Sequence, residues 1–480
     1  MERTSVLEAG RRLSNPVKER SWAATYLFNS VSMEKQSIDS ILDRLEQSSM
    51  FHLSLGSKEL FHSNFLYWLS IVDRDAFLSV MHGLAKVEKF WWEDSFSQDN
   101  IDVRRESRNF DLSIYVKTYT EKSKKGEIRE VETWIPVLVL ENKTKSMPRH
   151  DQLQEYTAKA FNEWRRKKPN NQLATLWEEQ PISFILLSLF TPEDFSANCT
   201  YTHKFSKDKK SIHVEANWEK NSYSDLYRLL SAIRIGEEKS LNQKIICDYC
   251  QFINALNELA VDDWKISDGD SFVETIYPWA IEGYTGDRQV QLRIDDIRQK
   301  VHYEQLKSLL EKALRDEGMQ AMEAPFKKDS PDGLYYGTNF AHNIGILEIA
   351  VKHGEESIFL QLQGNSYAHA FSLADNKDAA KRLLERKDDM EPLFEFEEES
   401  KDYDSEERIT TKYPAILQTQ VLYPQGINTQ ATKKERKLKC FKYFGQGFVY
   451  QNVLIPKEVT IHEVIQAMVE DTKKCLNIMK

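Results

Sequence analysis

The 480-residue sequence contains no run of eighteen apolar residues, and no apolar stretch follows its first residues, Met1-Glu-Arg-Thr. We therefore expect neither a membrane-spanning helix nor a secretory signal. Only five cysteines occur, which is typical of a chain in a reducing compartment and not of a disulfide-stabilised secreted protein. The sequence predicts a cytoplasmic protein that does not bind membranes.

Motifs of several common enzyme classes are also missing. There is no P-loop lysine motif and no G-x-G-x-x-G, so the usual phosphate loop of a nucleotide-binding enzyme is not predicted. His462-Glu463 lacks the second histidine of a zinc protease. Cys247 and Cys250 form the only C-x-x-C, without a second pair or a histidine nearby. We interpret them as two buried thiols on a helix, not as a zinc site.

The overall charge and composition limit the class of protein further. A net charge of −10 and a pI near 5.7 argue against a bulk non-specific nucleic-acid binder. Apolar residues make up 41% of the chain and aromatic residues 11%, which indicates a globular protein. A length of 480 residues predicts two domains, each with its own core.

The most informative stretch of the sequence is 109–156. Residues 109–120 and 130–140 are rich in β-branched and aliphatic side chains, and the Lys-rich segment 121–126 between them is a turn signal. Folded as an antiparallel hairpin about Lys125, the two runs bring Asp111 and Glu141 together at the open end. Cross-strand Cβ atoms lie about 5 Å apart, which is close enough for two carboxylates to share one cation.

The alternation of strand side chains adds a lysine to this pair. Glu141 and Lys143 point to one face of the strand, and Asn142 points to the other. Burial of charged groups at the end of the apolar run 137–140 costs free energy unless they have a partner, and a Mg²⁺ ion could be that partner. Asp111, Glu141 and the Asn142 carbonyl are the predicted oxygen ligands, and Lys143 would orient water or stabilise charge on a phosphate. The alternative is a solvated Glu141–Lys143 ion pair, with Asp111 capping a turn.

These residues resemble the motif of the PD-(D/E)xK nuclease superfamily. Asp111 matches the motif aspartate, and Glu141-Asn142-Lys143 matches the E-x-K. Phe110 stands where the name-giving proline would be, a departure that the superfamily tolerates. The resemblance covers roughly residues 55–190.

Two further segments match one branch of the superfamily. Gln152-Leu153-x-x-Tyr156 resembles the glutamine motif at the start of the helix after the E-x-K strand, and Glu59 resembles the glutamate of the first helix. The resemblance implies that Gln152 supports catalysis and that Glu59 is a further metal ligand. The alternatives are hydrogen bonding at a helix N-terminus for Gln152 and an ordinary exposed position for Glu59.

The resemblance implies an α/β fold with a restriction-endonuclease-like core, a mixed sheet flanked by helices with a metal site at one edge. Residues 137–142, a helix at 149–167 and a strand at 182–187 would form a β-α-β crossover. The implied activity is phosphodiester hydrolysis in nucleic acid, with DNA as the expected substrate and Mg²⁺ as the cofactor, which Mn²⁺ can replace. Defence of a bacterium against foreign DNA is one setting that the resemblance implies. The alternative is an inactive nucleic-acid-binding or assembly module with the same fold.

Clusters of basic residues occur despite the acidic total. The candidates for contact with nucleic acid are Lys124 and Lys125 in the hairpin turn and Arg165 and Arg166 near the end of the predicted helix. Such runs are usually solvated surface, which is the alternative here. The acidic segment 391–407 is predicted to be an exposed loop.

A polar, turn-rich segment at 261–270 is the predicted domain boundary. It separates a nuclease-like domain, 1–265, from an α+β domain, 271–480, for which target recognition, sensing, and self-association or binding of a partner protein are all open. The second domain is predicted to contain helices at 298–317, 377–387 and 460–478 and strands at 334–341, 344–352, 357–363, 416–422 and 447–455. Since the candidate catalytic and metal-binding residues all precede residue 160, we expect a fragment ending near Asp268 to fold, to bind metal and to cut with altered specificity or lost control.

Overall fold

The protein is described here from a computed structural model. The described residues are 37–54, 58–124, 127–144, 148, 150–166, 172–191, 195, 197–204, 211–233, 240–278, 288–323, 330–341, 344–374, 378–396, 412–417 and 441–479. Over these residues the protein has a mixed α/β architecture with two mixed sheets. No helix within these ranges combines the length and the apolar character needed to cross a membrane.

Within the described ranges, four α-helices precede the first strand: α1 (Ile38–Gln47), α2 (Ser49–Ser54), α3 (Lys58–Val72) and α4 (Arg74–Ala85). The first of them begins after Ser37, whose side chain accepts a hydrogen bond from the Ser40 amide. Its buried side chains, Ile41, Leu42 and Leu45, recur at the spacing of one helix face. This amphipathic pattern explains why α1 packs on the core instead of extending into solvent.

The first sheet contains β1 (Ile101–Ser107), β2 (Phe110–Lys124), β3 (Glu127–Lys143), β4 (Ser183–Ser188), β5 (Asn198–Lys204) and β6 (Ser211–Ser222). Their order is β1-β2-β3-β4-β6-β5. The first three strands are antiparallel, β3, β4 and β6 are parallel, and β5 is antiparallel to β6. The predicted hairpin is therefore present, and both of its strands are longer than the sequence indicated.

The parallel step from β3 to β4 runs through α5 (His150–Arg165) and α6 (Leu173–Glu179), so the predicted β-α-β crossover is confirmed. Helices α7 (Tyr223–Ser231) and α8 (Leu241–Glu258) follow the last strand. Helix α3 contacts Asn142 and α5 contacts Glu141. Because consecutive strand residues point to opposite faces, these two helices cover opposite faces of the sheet.

The second sheet contains β7 (Ala321–Glu323), β8 (Gly333–Ala341), β9 (Ile344–His353), β10 (Glu356–Gln363), β11 (Ser366–Leu373), β12 (Lys442–Tyr443) and β13 (Phe448–Leu454). Their order is β12-β13-β11-β10-β9-β8-β7, and among the described strands of this second sheet only the β7–β8 pair is parallel. The associated helices are α9 (Phe272–Ile276), α10 (Arg288–Gln291), α11 (Asp295–Asp316), α12 (Ala379–Glu385), α13 (Lys387–Met390) and α14 (Ile461–Ile478).

Two large hydrophobic cores match the two sheets, and α11 belongs to both. The first core extends along the chain to Trp264 and is completed by Leu292, Ile294, Ile297 and Val301. The second core begins at Ile266 and includes the C-terminal half of α11. The chain therefore returns to the first core after the predicted boundary at 261–270.

Two sequence predictions need correction. Residues 415–417 form a 3-10 turn, so the strand predicted at 416–422 is wrong over its described part, and 418–422 lie outside the described residues. Pro414 directly precedes this turn and has no amide hydrogen to donate to a sheet. Cys250 is buried as predicted, but Cys247 is exposed, since it lies on the outer side of α8 with the exposed residues Lys244 and Gln251.

Candidate active site

The β2–β3 hairpin brings the two predicted carboxylates together. Leu112 lies opposite Leu140, so Asp111 and Glu141 form the next position toward the open end of the hairpin. The Asn142 amide donates a hydrogen bond to Asp111 Oδ2 at 2.7 Å, which fixes the aspartate side chain across the strand pair. Two groups that are distant in sequence therefore lie on one face of the sheet.

A β-bulge in β3 sets this alignment. From the turn inward the strands pair evenly as far as Tyr115 and Pro136, but Ile114 then pairs with Leu138, which leaves Val137 as an extra residue. Proline cannot donate to a sheet ladder and is tolerated at bulges. Because a shift of one residue moves side chains to the other face, an even ladder would place Asp111 opposite Leu140 instead of Glu141.

Glu141 is almost fully buried, with a side chain that is 2% exposed. Its Oε1 accepts from Lys143 Nζ at 2.7 Å and from Gln152 Nε2 at 3.2 Å. When Glu141 is ionised, its Oε2 atom has no hydrogen-bond partner among the described residues. Desolvation by burial, reinforced by the nearby charges of Asp111 and Glu59 and opposed by Lys143, raises the pKa of Glu141 to about 8.

Burial and neighbouring charges also shift the pKa values of Asp111 and Lys143. Burial raises the pKa of Asp111 above its usual value, although the Asn142 amide and Lys143 oppose that shift. Burial lowers the pKa of Lys143, but the negative charges of Glu141, Glu59 and Asp111 outweigh this effect and raise it overall. At neutral pH a protonated Glu141 can donate to Asp111, since two ionised carboxylates offer only acceptors.

Asn142 ties the E-x-K strand to the helices on the other face. Its side-chain amide donates to the backbone carbonyl of Glu59 at 2.8 Å and accepts from the Tyr223 hydroxyl at 2.7 Å. The Tyr223 hydroxyl also lies 2.9 Å from Thr144 Oγ1. These bonds hold the first turn of α3 beside the site, where the charge of Glu59 acts on Asp111 and Glu141.

Gln152 lies in the first turn of α5 and reaches the site. Its side-chain nitrogen contacts Glu141 Oε1 and also the Tyr156 hydroxyl, the latter at 3.0 Å. Tyr156 is one turn further along α5, and its phenol is close enough to Glu141 for that charge to raise the pKa of the tyrosine after desolvation. Gln152 thus orients the carboxylate that the sequence predicted as a metal ligand.

The donor set suits a hard divalent cation. Across the described ranges no group of three or more His, Cys, Asp and Glu side chains is arranged to hold a metal ion. The site instead offers the two adjacent carboxylates of Asp111 and Glu141, and a cation would satisfy the buried oxygen of Glu141. Mg²⁺ and Mn²⁺ prefer such oxygen donors, and Mg²⁺ usually keeps several waters beside one or two carboxylates. The Asn142 carbonyl and Glu59 stay predicted ligands.

The predicted nucleic-acid contacts lie farther away. Arg165 and Arg166 are at the other end of α5, about 20 Å from Gln152 at 1.5 Å per residue. Arg165 Nε donates to Asn162 Oδ1 at 2.8 Å, whereas Arg166 is exposed. Lys124 ends β2 at the tip of the hairpin, and Lys125 lies outside the described residues.

Tyr223 was not predicted from the sequence. It begins α7, 80 residues after the E-x-K strand, and no local pattern links it to Asn142. The Ser222–Asp225 capping box indicates that a helix starts there, but it does not predict where the hydroxyl points.

Comparison with known proteins gives no relative for this site. No protein-family model matches the chain, and no curated protein or solved structure matches it.

Proposed function

We propose that this protein is a metal-dependent nuclease of the PD-(D/E)xK type, with a restriction-endonuclease-like core formed by the first sheet and its helices. The observation that carries the proposal is the pairing of Asp111 with the buried Glu141, with Lys143 and Gln152 both bonded to Glu141. A carboxylate pair at the end of a mixed sheet, flanked by helices on both faces, is what the resemblance to that superfamily implies. Defence against foreign DNA is part of this proposal as its biological setting.

The residues of the site have separate roles in this proposal. Asp111 and Glu141 would hold the cation, and the two bonds to Glu141 Oε1 keep that carboxylate in one orientation. Lys143, whose pKa is raised, stays protonated and can stabilise negative charge on the phosphate. When bound, Mg²⁺ would supply positive charge at the scissile phosphate and make a water molecule easier to deprotonate.

A cleavage assay tests the proposal directly. The full chain would be incubated with linear duplex DNA, circular duplex DNA, single-stranded DNA and RNA, each with Mg²⁺, with Mn²⁺ and with EDTA. We expect metal-dependent cleavage of DNA, and we expect Glu141→Ala and Lys143→Ala each to remove most of it. Lys117→Ala is the control, because Lys117 pairs with Glu132 on the same hairpin beyond the site. Cleavage that continues in EDTA would contradict the proposal.

One observation favours the non-catalytic alternative. Lys143 already neutralises part of the Glu141 charge at 2.7 Å, as a purely structural ion pair would. A binding module of this kind would keep its fold and its affinity for nucleic acid but would show no saturable metal binding at Asp111 and Glu141. Calorimetric titration with Mn²⁺, compared with Asp111→Asn, separates the two functions.

A further inference from the structure

The two flanks of α5 have different surroundings. Its buried stripe of Leu153, Ala160 and Trp164 faces the sheet. At about 100° per residue, Gln152, Tyr156, Lys159 and Glu163 lie within about 60° of one another on one side of that stripe. We call this side the catalytic flank, because Gln152 contacts Glu141 there.

Contacts at the other end of the helix confirm the direction of the catalytic flank. Glu163 Oε1 pairs with Arg108 Nε at 2.8 Å, and Glu163 Oε2 accepts from the Tyr115 hydroxyl at 3.1 Å. Arg108 is in the β1–β2 turn, three residues before Asp111. The catalytic flank therefore begins at the candidate metal site and runs along the β1–β2 edge of the sheet.

Three cations lie along this flank. Lys159 Nζ is 5.0 Å from the centre of the Tyr156 ring, which restrains it close to the site. The Arg108 side chain is 66% exposed beside Glu163. Arg166, the first residue after α5, is exposed and falls on the same flank by the helical spacing.

Arg165 is on the opposite flank. It is about 140° from Gln152 around the helix axis. Its guanidinium bonds Asn162, whose own amide donates to the Tyr201 hydroxyl of β5 at 3.3 Å. Since β5 is at the far edge of the sheet, Arg165 and Arg166 are neighbours in sequence that face different sides of the molecule.

We propose that the catalytic flank of α5 binds the phosphodiester backbone of the substrate strand through Lys159, Arg108 and Arg166. The spacing fits such a ligand, because Gln152, Lys159 and Arg166 follow at steps of about 10 Å, which is about three base-pair rises of 3.4 Å along the axis of a duplex. This inference rests on the proposed function and assigns its substrate path. It removes Arg165 from the predicted contacts and adds two residues that the sequence did not indicate.

The matched pair Arg165 and Arg166 provides the test. Binding of the full-length protein to a fluorescein-labelled DNA duplex would be measured by anisotropy between 50 and 200 mM salt, in EDTA and in Ca²⁺. We expect Lys159→Gln and Arg166→Gln each to weaken binding several-fold and to lower the slope of log K against log salt by about one. Arg165→Gln removes the same charge and should leave both quantities near the parent values. Mn²⁺ affinity and thermal midpoint should not change in any variant.

The outcomes separate this inference from the proposed function. If the parent binds and cuts DNA but Arg165→Gln and Arg166→Gln lose equal affinity, the path along α5 is wrong and the nuclease proposal stands. If the parent shows neither salt-dependent binding nor cleavage, the nuclease proposal fails, and the path fails with it. Charge reversal at Lys159 and at Arg166 gives a second measurement, and a loss no larger than that of Arg165→Glu would also overturn the path.

Discussion

Glu141 is the residue on which the candidate site depends most. It is buried, yet it carries an ionisable group with one oxygen that lacks a partner in the described part of the chain. A carboxyl group left in this state is costly for stability unless a proton or a cation compensates it. The protonation of Glu141 can therefore be tested through the stability of the protein as well as through its activity.

The metal-free protein should lose stability as the pH rises. The folded pKa of Glu141 is about 8 and its ordinary value is 4.5, so between these values the folded state holds a proton that the unfolded state has released. Stability then falls with pH across this window, and Asp111, whose pKa is also raised, acts in the same direction. Urea unfolding in EDTA at pH 5, 6, 7 and 8 should show the decline.

Glu141→Gln is the variant that checks this assignment, because it removes the titration and keeps the shape. The decline between pH 5 and pH 8 should become smaller in Glu141→Gln. A decline of unchanged size would show that other groups cause it. In the parent, Mn²⁺ should bind more tightly as the pH rises toward 8, since the ion must displace the proton.

Lys143 has a separate effect that a pH profile can detect. Loss of an electrostatic stabiliser typically costs about 10²–10³-fold in rate, so Lys143→Ala should remove most cleavage at neutral pH. Lys143 is also the main group that lowers the pKa of Glu141, so its removal should move the rise of the rate with pH, which follows ionisation of Glu141, to higher pH. A purely structural role would reduce activity equally at every pH. Cleavage rates from pH 6 to pH 10, normalised to the folded fraction, distinguish the two.

At the scale of elements, the β1–β2 turn contains unusual backbone conformations. Glu106, Arg108 and Asn109 are non-glycine residues with φ values of 52°, 61° and 68°. The last two form the centre of a two-residue hairpin turn, which requires positive φ at both positions. Glu106 has no such turn requirement, and it sits beside the strand position of Asp111.

Glu106→Gly should stabilise the protein. A left-handed conformation costs a residue with a side chain about 1–2 kcal/mol, and replacement by glycine removes this cost. Glycine also raises the conformational entropy of the unfolded chain, which offsets part of the gain in stability. We expect a net gain of about 0.5–1 kcal/mol in the free energy of unfolding, measured in urea at constant pH. Glu106→Ala is the control, because it removes the same charge but keeps the Cβ. Equal gains in the two variants would attribute the effect to charge instead of backbone strain.

The elements also show what the sequence could and could not predict. Alternating and apolar patterns predicted the β2–β3 hairpin, α5 and β4, because these depend on local residue types. The bulge at Val137 depends on how the whole ladder pairs, although Pro136 is a local signal for it. Arg165 could have been separated from Arg166 by counting turns from Gln152, whereas the Tyr223–Asn142 bond depends on tertiary packing that no local pattern predicts.

At the scale of the whole molecule, the two cores are not independent of each other. Helix α11 contributes Ile297 and Val301 to the first core and Leu306, Leu310 and Leu314 to the second. The preceding segment adds Leu292 and Ile294 to the first core. Arg288 also pairs with Asp43 of α1 at 2.5 Å and with Glu46 at 2.6 Å. Residues after the predicted boundary therefore help to complete the first core.

This arrangement changes the expectation for a fragment that ends near Asp268. Such a fragment lacks the buried side chains of Leu292, Ile294, Ile297 and Val301. At about 1.5–3 kcal/mol for each buried aliphatic side chain, the loss is about 6–12 kcal/mol, comparable with the total stability of about 5–15 kcal/mol of a typical domain. We therefore expect 1–268 to be unfolded or aggregated, and any absence of cleavage by it says nothing about the candidate catalytic residues.

A fragment that ends at residue 304 tests this explanation, since it restores the four side chains of the first core and omits almost all of the second domain. We expect 1–304 to unfold cooperatively in circular dichroism and to bind Mn²⁺, whereas 1–268 does neither. Ile297→Ala in the full chain is the internal check, because it creates a cavity beside Thr144 and His62, next to the E-x-K strand. It should lower stability by about 2–5 kcal/mol. If 1–268 folds as well as 1–304, the segment 288–301 is dispensable, and the second domain is attached to the first without stabilising it.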